Sequence, residues 1–207
     1  MKSIRIAFFW ISITATCVCA ETVYYTLDNV ILDDGSRITG LFSWVYSPGD
    51  FENGASQFLS LDIPHSSHNQ DDLTSTIETA QIEITFDGNV HDDGVDIKIV
   101  LLDPLTRTAP SLINVSTNES KYSIGGNGFN DGFFLGGSIV PTDIVLGIEP
   151  VSSGVVSVSW EPEVPGLVLQ ETTSLLDTNW VSSASGTTNP AAVSVTAPAT
   201  FYRLVMP

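Results

Sequence analysis

The chain of 207 residues carries 24 Asp and Glu against 7 Lys and Arg, a formal net charge of −17, with 43% hydrophobic and only 15% charged residues. That apolar content excludes a disordered polar chain and provides for a substantial core. The acidic balance excludes nucleic acid as a partner, because that affinity needs clustered cations to displace counterions. It disfavours anionic membrane surfaces for the same reason.

The first twenty residues read as a secretory leader. Lys2 and Arg5 precede an apolar run from Ile6 to Val18, and Val18-Cys19-Ala20 supplies small residues ahead of polar Glu21. The run is shorter than the roughly 20 residues a bilayer span wants. The expectation is cleavage after Ala20, secretion to the periplasm or exterior, and no membrane insertion afterwards. The alternative is a lipoprotein acylated on Cys17 or Cys19, but neither cysteine is preceded by a Leu-Ala-Gly type of approach. Cleavage removes both cysteines and two bases, leaving 24 acids against five bases, a formal charge of −19. A disulfide framework, a thiol nucleophile and a Cys-ligated metal are then all excluded.

From residue 21 onward strand signals dominate. Val23 to Leu32 and Ile38 to Tyr46 flank the turn cluster Asp33-Asp34-Gly35-Ser36 and predict an antiparallel pair. Trp44 and Tyr46 share a strand face, and Phe51 follows the Ser47-Pro48-Gly49-Asp50 turn. The three make a candidate aromatic platform for stacking on sugar rings. The competing reading turns Trp44 and Tyr46 into the core, as large aromatics in β-domains usually are.

A strand over Ser56 to Ile63 leads to the longest polar connection, His65 to Thr74. His65 and His68 lie three apart with Asp71 and Asp72 close behind, a donor set suited to zinc but placed on an irregular loop, so a solvated loop is the stronger expectation. Ile82, Ile84 and Phe86 alternate with polar residues, as do Val95, Ile97, Ile99 and Leu101, and the Asp-Gly-rich segment 87–94 between them predicts a hairpin. Asp87, Asn89, Asp92, Asp93 and Asp96 fall within ten residues. Hard oxygen donors at that density are candidate ligands for a structural calcium ion, although the spacing departs from the helix-loop-helix calcium loop. No other cofactor is expected.

After a glycine-rich turn at Gly125 to Gly132 and a strand over Phe133 to Val140, the composition changes from acid-rich to rich in Ser, Thr, Val, Pro and Ala. A boundary is expected at Gly147 to Gly154, between a β-sandwich over residues 21–148 and a small module over 154–207. Serine hydrolysis is disfavoured, since no Gly-x-Ser-x-Gly turn occurs, and no lysine-bearing phosphate loop is present. Paired carboxylates for glycoside hydrolysis must face each other at roughly 5 to 9 Å, and spacing in sequence selects no pair.

Val156-Ser157-Val158-Ser159-Trp160, Leu167 to Thr172, Asn179-Trp180-Val181 and Phe201 to Val205 together resemble the short fibronectin-III-like module that closes many secreted bacterial proteins. On that resemblance Trp160 and Trp180 are expected in its core. Tyr25 to Val30 and Asp33 to Phe42 are similar to the opening of exported β-rich proteins that carry a Pro-Glu-Pro sorting tail. The sequence closes on Met206-Pro207 with neither a membrane helix nor a basic tail, so sorting by that route is not expected.

The combined expectation is an all-β protein, a jelly-roll-like antiparallel β-sandwich followed by a fibronectin-III-like module. It serves as an exported non-enzymatic structural, binding or adhesion module. Its expected partner is an extracellular glycan or cell-surface component, and the alternatives are a carbohydrate-binding module or a glycan-directed hydrolase. Calcium is open to direct test, because a ligand that binds only the folded state raises its melting temperature. Millimolar calcium is expected to stabilise the protein more than sodium at matched ionic strength, and Asp92→Asn with Asp93→Asn to remove the difference. Superimposable melting curves would leave these carboxylates as a solvated turn.

Overall fold

The computed structural model describes residues 19–88, 94–126, 128–129, 131–164, 166–176, 179–195, 197 and 199–205. Among them the chain is all-β, with one 3₁₀ turn at Gln70–Asp72 and no α-helix. The first nine strands are β1 (Glu21–Leu32), β2 (Arg37–Ser47), β3 (Asp50–Asp62), β4 (Leu73–Glu78), β5 (Gln81–Phe86), β6 (Gly94–Val100), β7 (Ser111–Leu112), β8 (Lys121–Gly126) and β9 (Gly132–Thr142). They form one antiparallel path in the order β3-β2-β1-β9-β8-β6-β5-β4, with β7 added against β9.

Alternation explains which side each strand buries. In β2, Phe42, Trp44 and Tyr46 point inward; in β5 and β6, Ile82, Ile84, Val95, Ile97 and Ile99 do the same. All of them belong to one core cluster, so the path folds over on itself as a β-sandwich. In β1 the buried residues Leu27 and Val30 are three apart, which strict alternation forbids. A β-bulge at Asp28-Asn29, with Asn29 at φ 50°, supplies the extra residue that restores the inward face.

Strand β9 pairs with β8 through Gly132 and Phe133, then with β1 from Phe134 to Thr142, and so ties the two layers together. Gly137, at φ +140°, lies within the stretch paired with β1, opposite the bulge of that strand. A Cβ there would meet the Val30 Cα at 2.7 Å, so only glycine lets β9 lie this close to β1. The free edges, β3 and β4, approach each other at the far side, where the Gln70 amide donates to the Phe58 carbonyl at 3.3 Å.

A second pair of three-stranded sheets follows: β10 (Val145–Ser152), β11 (Val155–Glu161) and β14 (Ala191–Ser194), against β12 (Val168–Thr172), β13 (Val181–Ser182) and β15 (Phe201–Val205). The segment Gly147 to Gly154, where the sequence places a domain boundary, lies in β10 and the turn after it. Gly147, Glu149 and Pro150 break the expected pattern, and an edge strand tolerates them because one side of its backbone needs no partner. The Asn189 side chain brackets Trp160, accepting from its N–H at 3.1 Å and donating to its carbonyl at 2.8 Å.

The second core contains Val158, Trp160, Leu167, Leu169, Ala191 and Val193, and it also contains Leu41 from β2, only 4% exposed. Tyr24 and Leu59, partly buried, join Leu41 from the outer face of the first sandwich. The two sandwiches therefore share an apolar cluster. Leu41→Ala is expected to cost about 2–5 kcal/mol, as for other large-to-small core changes. Leu41→Asp is expected to split denaturant unfolding, followed by tryptophan fluorescence and far-UV circular dichroism, into two transitions; one transition at the parent midpoint would contradict a shared core.

Candidate functional site

The structure brings Trp44, Tyr46 and Phe51 together, but it turns them inward. Trp44 is 1% exposed and Tyr46 4%, and Phe51 packs against the same core. The Trp44 indole N–H donates to the Phe51 carbonyl at 2.9 Å, and the Tyr46 and Phe51 rings meet edge-on at 4.9 Å. Gly54 lies under the indole, where a Cβ would sit 2.4 Å from the ring atoms. These ring faces are committed to protein neighbours, as the core reading of Trp44 and Tyr46 expects, so no sugar platform of these three is presented to solvent. The reason is the inward phase of β2, shared by Phe42, Trp44 and Tyr46.

The Tyr46 hydroxyl reaches the rim and donates to Glu21 Oε2 at 2.6 Å, and Arg107 Nη2 approaches the same oxygen at 2.9 Å. Arg107 also lies over the Tyr46 ring at 5.6 Å. Burial and the Glu21 hydrogen bond both push the Tyr46 phenol up from its ordinary value. Beside this cap runs an open groove of about 780 Å³, lined by Thr22, Val23, Tyr24, Arg107, Thr142 and Asp143 among others. It exists because β9 ends at Thr142, opposite Tyr24, while β1 runs three residues further to Glu21. The Tyr25 hydroxyl donates to the Thr106 carbonyl at 2.8 Å and holds the adjoining loop.

Of the five candidate calcium ligands, Asn89, Asp92 and Asp93 lie outside the described residues. Asp87 sits at φ 55° after β5. Asp96 is wholly buried within β6, opposite Ser123 of β8. The Ser123 hydroxyl in turn donates to Asp131, and the Tyr122 hydroxyl donates to Asp33. Burial first, and then Asp33, raise the Tyr122 phenol well above its ordinary value. The histidines of the polar loop diverge: His65 Nε2 pairs with Asp34 at 3.1 Å, whereas His68 stacks on Phe86 with centroids 3.9 Å apart. Among the described residues no group of three or more His, Cys, Asp and Glu side chains is arranged to hold a metal ion.

Sequence reasoning missed a cluster on the last sheet. Trp180, expected in the module core alongside Trp160, is instead partly exposed, while Trp160 is 2% exposed. The Arg203 guanidinium lies 4.4 Å from the Trp180 ring centre and donates to no carboxylate among the described residues; its Nε–H and Nη2–H both donate to Gln170 Oε1, at 2.9 and 2.8 Å. The signal was present in Phe201 to Val205, where Tyr202 and Leu204 face the core and Arg203 must face away. The pairing with Trp180 has no counterpart in local sequence.

No protein-family model, no curated protein and no solved structure matches the chain. The fold class rests on its own strands and cores.

The Asp34 carboxyl is held below its ordinary value, chiefly by the Ser36 hydroxyl and backbone N–H, at 2.5 and 2.8 Å, and secondarily by His65. A depressed folded-state value means that this contribution to stability is present above the unfolded value and is lost as pH falls through the folded one. Carboxyl ¹³C titration by NMR is expected to show Asp34 returning toward the ordinary range in Ser36→Ala, and less so in His65→Ala. The reverse order would overturn this ranking.

Proposed function

We propose that this chain is an exported, non-enzymatic binding module that acts at the cell exterior on a glycan or cell-surface component. The observation that carries the reading is the shared cluster around Leu41, which makes two sandwiches one body and so holds the outer face of the last sheet in a constant orientation. A binding face gains from such rigidity, because less freedom is lost when the partner docks. Side-chain hydroxyls and carboxylates of the first sandwich are engaged in its own frame, as with Tyr122 and Asp33, Ser123 and Asp131, and Tyr46 and Glu21. The resemblance of residues 154–207 to a fibronectin-III-like module points the same way, as does the leader-like sequence of residues 1–20. No helix of the described residues is long and apolar enough to cross a membrane.

The test is expression of the whole chain in a secreting bacterial host. The expected product is exported, begins at Glu21 by N-terminal sequencing, is retained on cell-surface polysaccharide and releases no reducing ends from it. Intracellular protein that still begins at Met1 would overturn export. Release of reducing ends would replace binding by glycan hydrolysis.

A further inference from the structure

The outer face of the β13-β12-β15 sheet carries an exposed arginine, Arg203, held by two neighbours. Gln170 stands opposite Arg203 across β12 and β15 and opposite Ser182 across β12 and β13. Because Tyr202 and Leu204 enter the second core, Arg203 projects outward between Phe201 and Val205, both half-exposed. Two contacts fix its guanidinium: the fork of hydrogen bonds to Gln170 Oε1 and the ring of Trp180 beneath it. Arginine has five N–H donors and two are used here, leaving three for a ligand.

The charge arithmetic sharpens the point. With 24 acids available, Lys98 pairs with Glu83 and Arg107 with Glu21. Arg203 takes a neutral amide instead, and among the described residues no carboxylate lies within 4.0 Å of it. Among the described residues no carboxylate neutralises its charge, and its planar geometry matches a carboxylate or phosphate through paired hydrogen bonds. A carboxylate borne on a sugar ring suits the surroundings, since the half-exposed Phe201, Val205 and Val168 share the sheet face of Arg203 and offer apolar surface for the C–H face of the ring. At physiological salt the Debye length is about 8 Å, so distant acids of the chain oppose such a contact only weakly.

We propose that Arg203, Gln170 and Trp180 form a recognition site for the uronate residues of an acidic glycan. The proposal rests on the binding-module reading and names its ligand class. The carboxylate takes the free edge of the Arg203 fork, Gln170 and the Trp180 ring hold that fork in place, and the sugar ring lies along Phe201, Val205 and Val168.

The experiment titrates the mature full-length chain, at 0.15 M sodium chloride, with oligogalacturonate, its methyl ester, a neutral oligoglucan and inorganic phosphate. Binding is read by calorimetry and by tryptophan fluorescence, to which the partly exposed Trp180 is the responsive contributor beside buried Trp44 and Trp160. Oligogalacturonate is expected to bind, and its methyl ester at least about tenfold more weakly, as loss of a charge-assisted bidentate pair implies. Arg203→Ala and Trp180→Ala are each expected to weaken oligogalacturonate by about tenfold or more, and Arg203→Lys by less, with unchanged circular dichroism. Equal affinity for acid and ester, or an Arg203→Ala variant that binds like the parent, would overturn the uronate site. Tighter binding of phosphate than of oligogalacturonate would overturn it in favour of a phosphate ligand. Arg203-independent retention of the neutral oligoglucan would sink the uronate inference yet keep the binding module, whereas retention of no glycan at all removes both.

Discussion

The architecture depends on one close approach, that of β9 to β1 at Gly137. A single strand pairs with β8 at one end and β1 along the rest, and opposite the β1 bulge it comes so near that any side chain at Gly137 would strike Val30. With β9 seated there, the aromatic residues of β2 and the isoleucines of β5 and β6 close on each other as one core. At roughly 25 cal/mol per Å² of apolar surface removed from water, such burial is the main source of stability for a chain whose cysteines lie in its expected leader. The bulge at Asp28-Asn29 serves the same end, since without it Val30 and Leu32 would face solvent.

Electrostatics in so acidic a chain is organised by neutral donors more than by cations. Asp34 is held by a serine hydroxyl and a backbone N–H, Asp33 by a tyrosine, Asp131 by a serine and Glu21 by a tyrosine with help from Arg107. Hydrogen bonds to a carboxylate stabilise its charge without bringing a second charge out of water, which avoids the desolvation cost of a buried ion pair. Scarce cations then become informative by position. Two of them answer carboxylates, while Arg203 answers an amide and an indole.

The joining of the two sandwiches has a functional consequence. Leu41 lies on the outer face of β2, a position that would be solvent-facing in an isolated sandwich, and the second core closes over it. The last sheet is thereby carried on a fixed base, with β10 as its covalent lead-in immediately after Thr142 and the groove at the end of β9.

By itself the sequence determined what period-two alternation and turn chemistry can specify: the strands around Asp33 to Ser36, the pair either side of residues 87–94, and the inward phase of Ile82, Ile84, Val95 and Ile97. Local pattern suffices there because adjacent strands are short-range partners and each apolar face has one place to go. It misread polar β4, where Ile77 alone is buried, and edge strand β10, since edge strands bury too little to leave a clear pattern. Only the tertiary structure decided which aromatics are seen by solvent. Trp44 lies mid-strand in β2 and Trp180 just before β13, and Gly54 and the Phe51 carbonyl claim the first. The second meets Arg203, 23 residues away, across a sheet whose pairing no local window contains. Exposure is a property of what lies on the other side of a strand, and that is set by packing.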